Sequence, residues 1–471
     1  MFELIKSGRR GTMLDFFFKP DAVAVLGASS NKHKTGYHIV KNLLSGYKGK
    51  IYPVNPNYEE ILGLPCYPDV ESIPGNFECA IYFIPSKYLP DTILSCARKG
   101  VKGIIIESGG FTEAGPEGEK IQKDALENAA QTGIRLWGPN CMGFIDANAR
   151  HVFSFLHSAV WPDILRSGNV GLIVQSGMLS AGFLLSALQE GVMGVSKACS
   201  IGNKCDINEN DILEFLSQDD ETGVVACYLE SLVDGRAFMD IARRTPKPVI
   251  VLSGGRSVHG AQAAMSHTAS MSGNYSVAHG AFQQVGIIES YDPAELTDMA
   301  RAFSKIPACP RSGGVAILTF SGGAGTITTD LLDDYDMPLA RLSENTLAEI
   351  GTLFPAWIKP THPLDLWSSI EQKGYKKVYL TCLKATLSDP AVDSILFQTY
   401  TSLEIDAQFF TDAAGLMREY GKPIIMWVEG RKELLEKIRA MAEEAGIPSF
   451  RDLTRCVSVL AGLRRHFQKK R

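Results

Sequence analysis

The sequence predicts an α/β protein built as three consecutive doubly wound units, each a mostly parallel sheet with helices on both faces. Three observations carry this. From Met13 onward, short apolar β-branched runs alternate with longer helical patterns. At 471 residues and 45% hydrophobic content, the chain exceeds what one core organises. Three times, at 23–44, 167–182 and 313–335, an apolar strand runs directly into a Gly/Ser turn and then a helix.

The first unit spans 14–147 behind an N-terminal tail, 1–13. Its runs AVAVLG (22–27), KIYPVNP (50–56), CAIYFIP (79–85), GIIIES (103–108) and IRLWGPN (134–140) form a five-strand nucleotide-binding pattern. The second unit, 148–307, carries SGNVGLIVQSGMLSAG (167–182), where a strand ends in Gln-Ser-Gly and turns helical, then GVVACYLES and KPVIVLSGGRS. The third, 308–471, opens with GGVAILTFSGGAGTITTDLLDDY (313–335) and continues through DSILFQTY (393–400) and KPIIMWVEG (422–430). KIPACPRSGG, 305–314, reads as a linker, and the basic end RRHFQKKR as a frayed, solvated helix terminus.

Forty-seven basic and 52 acidic residues are mixed along the chain, for a net charge of −5, so no field for nucleic acid builds up. The ten cysteines lie far apart with no C-x-x-C pair, as buried thiols of a reducing compartment do, and zinc is not expected. MFELIKSGRRGTMLDFFFKP holds no apolar run long enough for a signal peptide or a membrane span, so a soluble cytoplasmic protein is expected.

In LGASSNKHKTGYHIVKNLL, free backbone N–H groups and a helix dipole could hold a phosphate, although a ligand-free tight turn has the same composition. NAD is disfavoured. Only Gly27 and Gly36 are present where G-x-G-x-x-G would be, and the second strand ends in VNPN where a ribose-binding acid would stand. GFTEAG (110–115) and GPNCMG (138–143) are further loops after strands. VQSGMLSAG and FSGGAGT each aim several amides at one spot and could bracket one phosphate, or be turns only. No G-x-x-x-x-G-K-[ST] occurs, so the chain shows no ATP site of its own. Glu230 ends the strand VVACYLE, either as a surface carboxylate or as a functional group at the sheet rim. His267, in AAMSHTASMSGNY, is surrounded by Ser, Thr and Gly that leave room for a bulky anion.

Together these motifs resemble the α subunit of NDP-forming acyl-CoA synthetases, specifically ADP-forming acetyl-CoA synthetases, relatives of succinyl-CoA synthetase, over residues 14 to 465. LGASSNKHKTGYHIVKNLL, IYPVNPN, SGGFTEAG and GPNCMGF look like the family's Rossmann-like CoA-binding domain. VQSGMLSAG, YLESLVDGR and AAMSHTASMSG look like its flavodoxin-like phosphohistidine domain, and TFSGGAG with HPLDLW like its third, ligase-type flavodoxin-like domain. The resemblance implies CoA contacts at Gly27, Ala28, Ser29, Lys34, Asn55, Pro56, Pro85, Gly110, Phe111, Glu113 and Asn140. It implies phosphate binding at Ser176, Gly177, Ser321, Gly322 and Gly323, transient phosphorylation of His267, and a Glu230 carboxylate on the other ring nitrogen. Ala269 stands where the family has glycine, and His362 where it has asparagine.

The implied reaction interconverts acyl-CoA, ADP and phosphate with organic acid, CoA and ATP. It further implies a separate ATP-grasp β subunit holding ATP/ADP and Mg²⁺, in an α₂β₂ assembly. The rival is a non-catalytic subunit that senses CoA or acyl-CoA; retention of both Glu230 and His267 discriminates against it.

Overall fold

The computed structural model describes residues 14–176, 182, 188, 193–262, 275–310, 313–402 and 404–469. His267 and Gly177 lie outside the described residues. Packing divides the chain into two compact units, Met1–Val285 and Gly286–Arg471.

The first sheet is wholly parallel. Its order is Lys50–Val54, Ala22–Leu26, Cys79–Tyr82, Gly103–Ile106, Arg135–Trp137. Ala22–Leu26, Cys79–Tyr82 and Gly103–Ile106 are buried along their whole length, which explains runs that are continuously apolar rather than alternating. Numbered along the chain, the order is 2-1-3-4-5, so the winding direction reverses between Ala22–Leu26 and Cys79–Tyr82. Open α/β sheets bind ligands beyond the carboxyl ends of the strands at such a reversal.

The second sheet repeats the plan. Val195–Ser200, Ser167–Val174, Val224–Leu229 and Val249–Ser253 lie parallel in that order, again 2-1-3-4, with the reversal between Ser167–Val174 and Val224–Leu229. An antiparallel hairpin, Phe144–Asp146 and His151–Phe153, extends the sheet beside Val195–Ser200. Aromatic side chains join the two sheets. In the short helix Asp15–Phe18, Phe17 and Phe18 pack edge-on against Trp137 at 5.3 and 5.8 Å, and Phe18 stacks on Phe215 at 4.3 Å. Phe17 and Phe18 are therefore core residues. Eight of the ten cysteines are buried and the other two half-buried, all as free thiols.

The unit Gly286–Arg471 carries a third parallel sheet, ordered Leu364–Asp365, Gly314–Thr319, Val392–Tyr400, Ile424–Glu429, Ser449–Phe450. The reversal falls between Gly314–Thr319 and Val392–Tyr400. The helices Pro293–Lys305 and Leu453–Lys469 pack together here, and buried Arg301 is held by Asp298 at 3.1 Å and Glu443 at 2.7 Å with its guanidinium over Phe450. Removing one partner of such a buried network costs about 3–5 kcal/mol, because a charge is left uncompensated.

The C-terminus corrects one expectation. RRHFQKKR is not simply a frayed, solvated helix end: Arg464 pairs with Asp393 and donates to the Gly313 carbonyl at 3.0 Å, and His466 is buried. The charges looked solvent-facing only because their partners lie about seventy residues or more away in the chain. No helix among the described residues is long and apolar enough to cross a membrane.

Candidate active site

Each of the three glycine-serine motifs stands at the reversal point of its own sheet. In the first sheet, Gly27 follows strand Ala22–Leu26 with φ +92°, and its amide donates to the Val54 carbonyl at 3.1 Å. A Cβ on Gly27 would lie 2.3 Å from the Phe83 carbonyl oxygen. Gly36 is equally constrained, since its Cβ would lie 2.0 Å from the Gly27 carbonyl oxygen. The helix Thr35–Leu44 can therefore sit directly over the turn only because both residues lack side chains. Exposed Lys34 occupies its N-cap position and no side chain caps the helix, so the dipole end faces outward beside a cation.

The other residues expected here gather along the same carboxyl edge. Ala28 and Ser29 are buried, and the Ser29 hydroxyl accepts the Asn31 amide at 3.1 Å. Asn55 donates to the Ala28 carbonyl at 2.8 Å and is followed by exposed Pro56, so the first asparagine of VNPN ties two strand ends together. The Pro85 carbonyl accepts the Tyr82 hydroxyl at 2.7 Å. Asn140, at φ +55°, donates its amide to the Ser108 carbonyl at 3.1 Å.

Two of these residues have their side chains committed within the protein. Phe111 is fully buried in the core. Glu113 accepts the Gly110 and Phe111 amides on Oε1 at 2.7 and 3.2 Å, and Asn203 Nδ2 on Oε2 at 2.6 Å. Burial works to raise its pKa, but these donors outweigh burial and hold the carboxylate below its ordinary range. Glu113 thus shapes the Gly110–Gly115 turn, where Gly110 itself has φ +99°.

In the second sheet, strands on either side of the reversal deliver Ser176 and Glu230. Gln175 binds them together: its Oε1 accepts the Glu230 and Ser231 amides at 2.8 and 3.2 Å, and its own amide donates to the Tyr228 carbonyl at 3.0 Å. Glu230 Oε1 accepts the Tyr228 hydroxyl at 3.3 Å. Burial, then the Glu230 charge, pushes that phenol up to about 12, so it remains a donor at neutral pH. Glu230 Oε2 is buried without a hydrogen-bond partner among the described residues. The residue lines a cavity of about 760 Å³ between the strand ends 229–231 and 253–255 and the helices Gly235–Arg244 and Tyr275–Val285. A carboxylate oxygen held this way can accept a strong hydrogen bond from a donor entering the cavity.

In the third sheet, Ser321 is the N-cap of the helix Gly322–Asp334, again without a side-chain cap, and Gly322 and Gly323 are exposed. Ser321 is held by its neighbour: its amide donates to Thr319 Oγ1 at 3.0 Å, and that hydroxyl donates to the Ser321 carbonyl at 2.9 Å. Asp365, paired with Thr319 across the strands, places Oδ2 only 3.4 Å from where a Gly322 Cβ would be. His362 turns inward instead, its Nε2 accepting the Ile317 amide at 2.8 Å.

Sequence reasoning missed the supports: Gln175, Asn203, Lys204 and Glu209. Gln175 adjoins Ser176 in VQSG and could have been suspected as a polar residue closing an apolar strand. IGNKCDINEN carries no pattern that distinguishes it from a surface turn.

Residues 21–147 match the model of a CoA binding domain, and 167–303 that of a succinyl-CoA ligase like flavodoxin domain. The α subunit of acetate–CoA ligase [ADP-forming] II from Pyrococcus furiosus is 36% identical over 446 residues, 93% of this chain and 94% of that one. Acetate–CoA ligase [ADP-forming] II from Archaeoglobus fulgidus is 36% identical over 456 residues, 96% of this chain and 67% of that longer protein. Among solved structures, the "dinucleotide forming Acetyl-coenzyme A synthetase 1" of Ca. Korarchaeum cryptofilum, in complex with phosphate and ADP, superposes with a TM-score of 0.87 at 31% identity over 97% of each chain. These relatives are enzymes, which supports the catalytic reading over a sensor that only binds. The chain belongs to the family of ADP-forming acetate–CoA ligase α subunits.

Proposed function

We propose that this chain carries the acyl-transfer half of a reversible ADP-forming acid–CoA ligase, with His267 as the phosphoryl carrier. The observation that carries the reading is Glu230: a strand-end carboxylate with one oxygen buried, without a hydrogen-bond partner among the described residues, beside a cavity at the carboxyl edge of the sheet. In the ATP-forming direction, a phosphate oxygen attacks the thioester carbonyl carbon. The C–S bond breaks, CoA leaves as a thiolate that takes a proton, and an acyl phosphate remains. A ring nitrogen of His267 then attacks phosphorus, releasing the carboxylate. Glu230 accepts the N–H of the other ring nitrogen, holding the tautomer that leaves the attacking nitrogen free and stabilising the positive charge the ring gains.

The remaining residues bind and orient. The Gly27–Gly36 turn, Asn55, Pro85, Gly110 and Asn140 form the CoA edge, with Glu113 and Phe111 shaping it. Backbone amides at Ser176-Gly177 and Ser321-Gly322-Gly323 hold phosphate. The reading divides the chain into a CoA-binding domain (14–147), a phosphohistidine domain (148–307) and a third ligase-type domain (308–471). The nucleotide and its Mg²⁺ belong to a separate ATP-grasp β subunit, in a cytoplasmic α₂β₂ complex.

The test is labelling of the reconstituted complex with acetyl-CoA and radioactive phosphate. The expected product is an acid-labile, base-stable adduct on the peptide containing residues 263–275, absent in His267→Ala and slowed about 100-fold in Glu230→Gln. Label on another residue, or full turnover by His267→Ala, would overturn the reading.

A further inference from the structure

The segment that bears Glu230 is held by a buried charge pair. Lys204 Nζ donates to the Ser231 carbonyl at 2.8 Å and lies 3.0 Å from Glu209 Oε2. Glu209 Oε1 in turn accepts the Val233 amide at 2.5 Å. Lys204 is 8% exposed and Glu209 fully buried. Taking two such charges out of water costs several kcal/mol each before their attraction offsets it. The backbone adds a cost of its own, because Lys204 sits at φ +55°, a left-handed conformation that costs a residue with a Cβ about 1–2 kcal/mol. A turn alone would be served by glycine or asparagine.

The same turn is anchored on its opposite side. The Asn203 amide donates to the Pro139 carbonyl at 2.9 Å, and Asn203 Nδ2 donates to Glu113. Gly202 has no room to retreat, since its Cβ would lie 2.1 Å from the Pro139 carbonyl oxygen. Lys204 therefore projects from a turn braced against the rim of the first sheet, and its ammonium fixes the carbonyl of the residue directly after Glu230.

We propose that Lys204, backed by Glu209, is a positioning residue that sets the orientation of the Glu230 carboxylate toward the phosphorylated histidine. The proposal rests on the reading of Glu230 given above. Without the ammonium, the Ser231–Leu232 peptide loses its carbonyl anchor and can rotate, while the Glu230–Ser231 peptide keeps the bond from its N–H to Gln175. The backbone directly after Glu230 is then freer, so the carboxylate is held less tightly and the hydrogen bond to the ring is made in only a fraction of molecules.

The test compares four forms of the reconstituted complex: wild type, Glu230→Gln, the pair Lys204→Met with Glu209→Gln, and all three changes together. Removing both charges at once avoids stranding a buried carboxylate, and thermal melting reports whether each form is folded. The pair is expected to slow labelling by phosphate and acetyl-CoA at least about tenfold, with KM for acetyl-CoA within about twofold of wild type. Added to Glu230→Gln it should slow labelling no further, because Lys204 acts through that carboxylate. Wild-type labelling by a folded pair variant, or a full additional loss in the Glu230→Gln background, would overturn the proposal while leaving the role of Glu230 intact. Unchanged labelling in Glu230→Gln alone would instead overturn the reading on which it rests.

Discussion

Replacing His362 by glutamine should remove an acid-sensitive part of the stability of the unit Gly286–Arg471. His362 Nε2 accepts the Ile317 amide at 2.8 Å, a bond that exists only while that nitrogen is unprotonated. Burial pushes its pKa from the ordinary 6.5 down to about 4. Between these values the unfolded chain binds a proton that the folded chain refuses. Stability is therefore complete above pH 6.5, falls as pH drops toward 4, and levels off below. Between pH 7.5 and pH 4.5 this linkage amounts to about 2–3 kcal/mol. Glutamine can present an acceptor at the ε position and does not titrate, so His362→Gln keeps the hydrogen bond without the linkage. Urea unfolding of both proteins at the two pH values, followed by tryptophan fluorescence, measures the difference directly. Wild type should lose about 2–3 kcal/mol more than the variant between the two pH values. Equal losses would show that His362 is not held neutral by the fold, and that its inward bond is not the reason histidine is accepted at this position.

Gly36→Ala places a methyl 2.0 Å from the Gly27 carbonyl oxygen, so the helix start must move off the turn. Calorimetric titration should show CoA affinity reduced at least tenfold, about 1.4 kcal/mol, and wild type should prefer CoA to NAD by at least the same factor. The chain purified alone should show no ADP-dependent cleavage of acyl-CoA, and adding a matching ATP-grasp subunit should restore it. Turnover by the chain alone would reveal a nucleotide site within these residues.

The parallel strands of the first sheet were legible, their starts to within one residue and their ends overrun by one to three. The runs 22–27, 50–56, 79–85, 103–108 and 134–140 became Ala22–Leu26, Lys50–Val54, Cys79–Tyr82, Gly103–Ile106 and Arg135–Trp137. Strands covered on both faces must be apolar at every position, and that constraint is local enough to read. The turns after Val174 and Thr319 were legible for a similar reason, since a strand passing directly into a helix needs small residues. The hairpin Phe144–Phe153 was not, because its short strands resemble loop until Val195–Ser200 pairs with them. Nor was the commitment of Phe111 to the core, or of Glu113 to its own loop. A side chain's periodicity does not say whether it turns toward a ligand or toward the protein.

By itself the sequence determined the chemistry available: which strands are buried, which turns are free of side chains, and that a histidine among small residues accompanies a carboxylate at a strand end. Those properties depend on residues within a few positions of one another, so they survive reading in one dimension. Only the tertiary structure decided where those parts stand. The strand order put Gly27, Ser176 with Glu230, and Ser321 at the reversal point of their respective sheets. It also brought Gln175, from one strand end, Lys204, from the turn after the neighbouring strand, and Glu209, from the start of the helix that follows, onto the single peptide segment 230–233. The physical reason is that a buried charge or amide is stable only beside its partner, and here the partners lie about 25 to 55 residues apart in the chain. No local pattern records that distance; the order of the strands within the second sheet does.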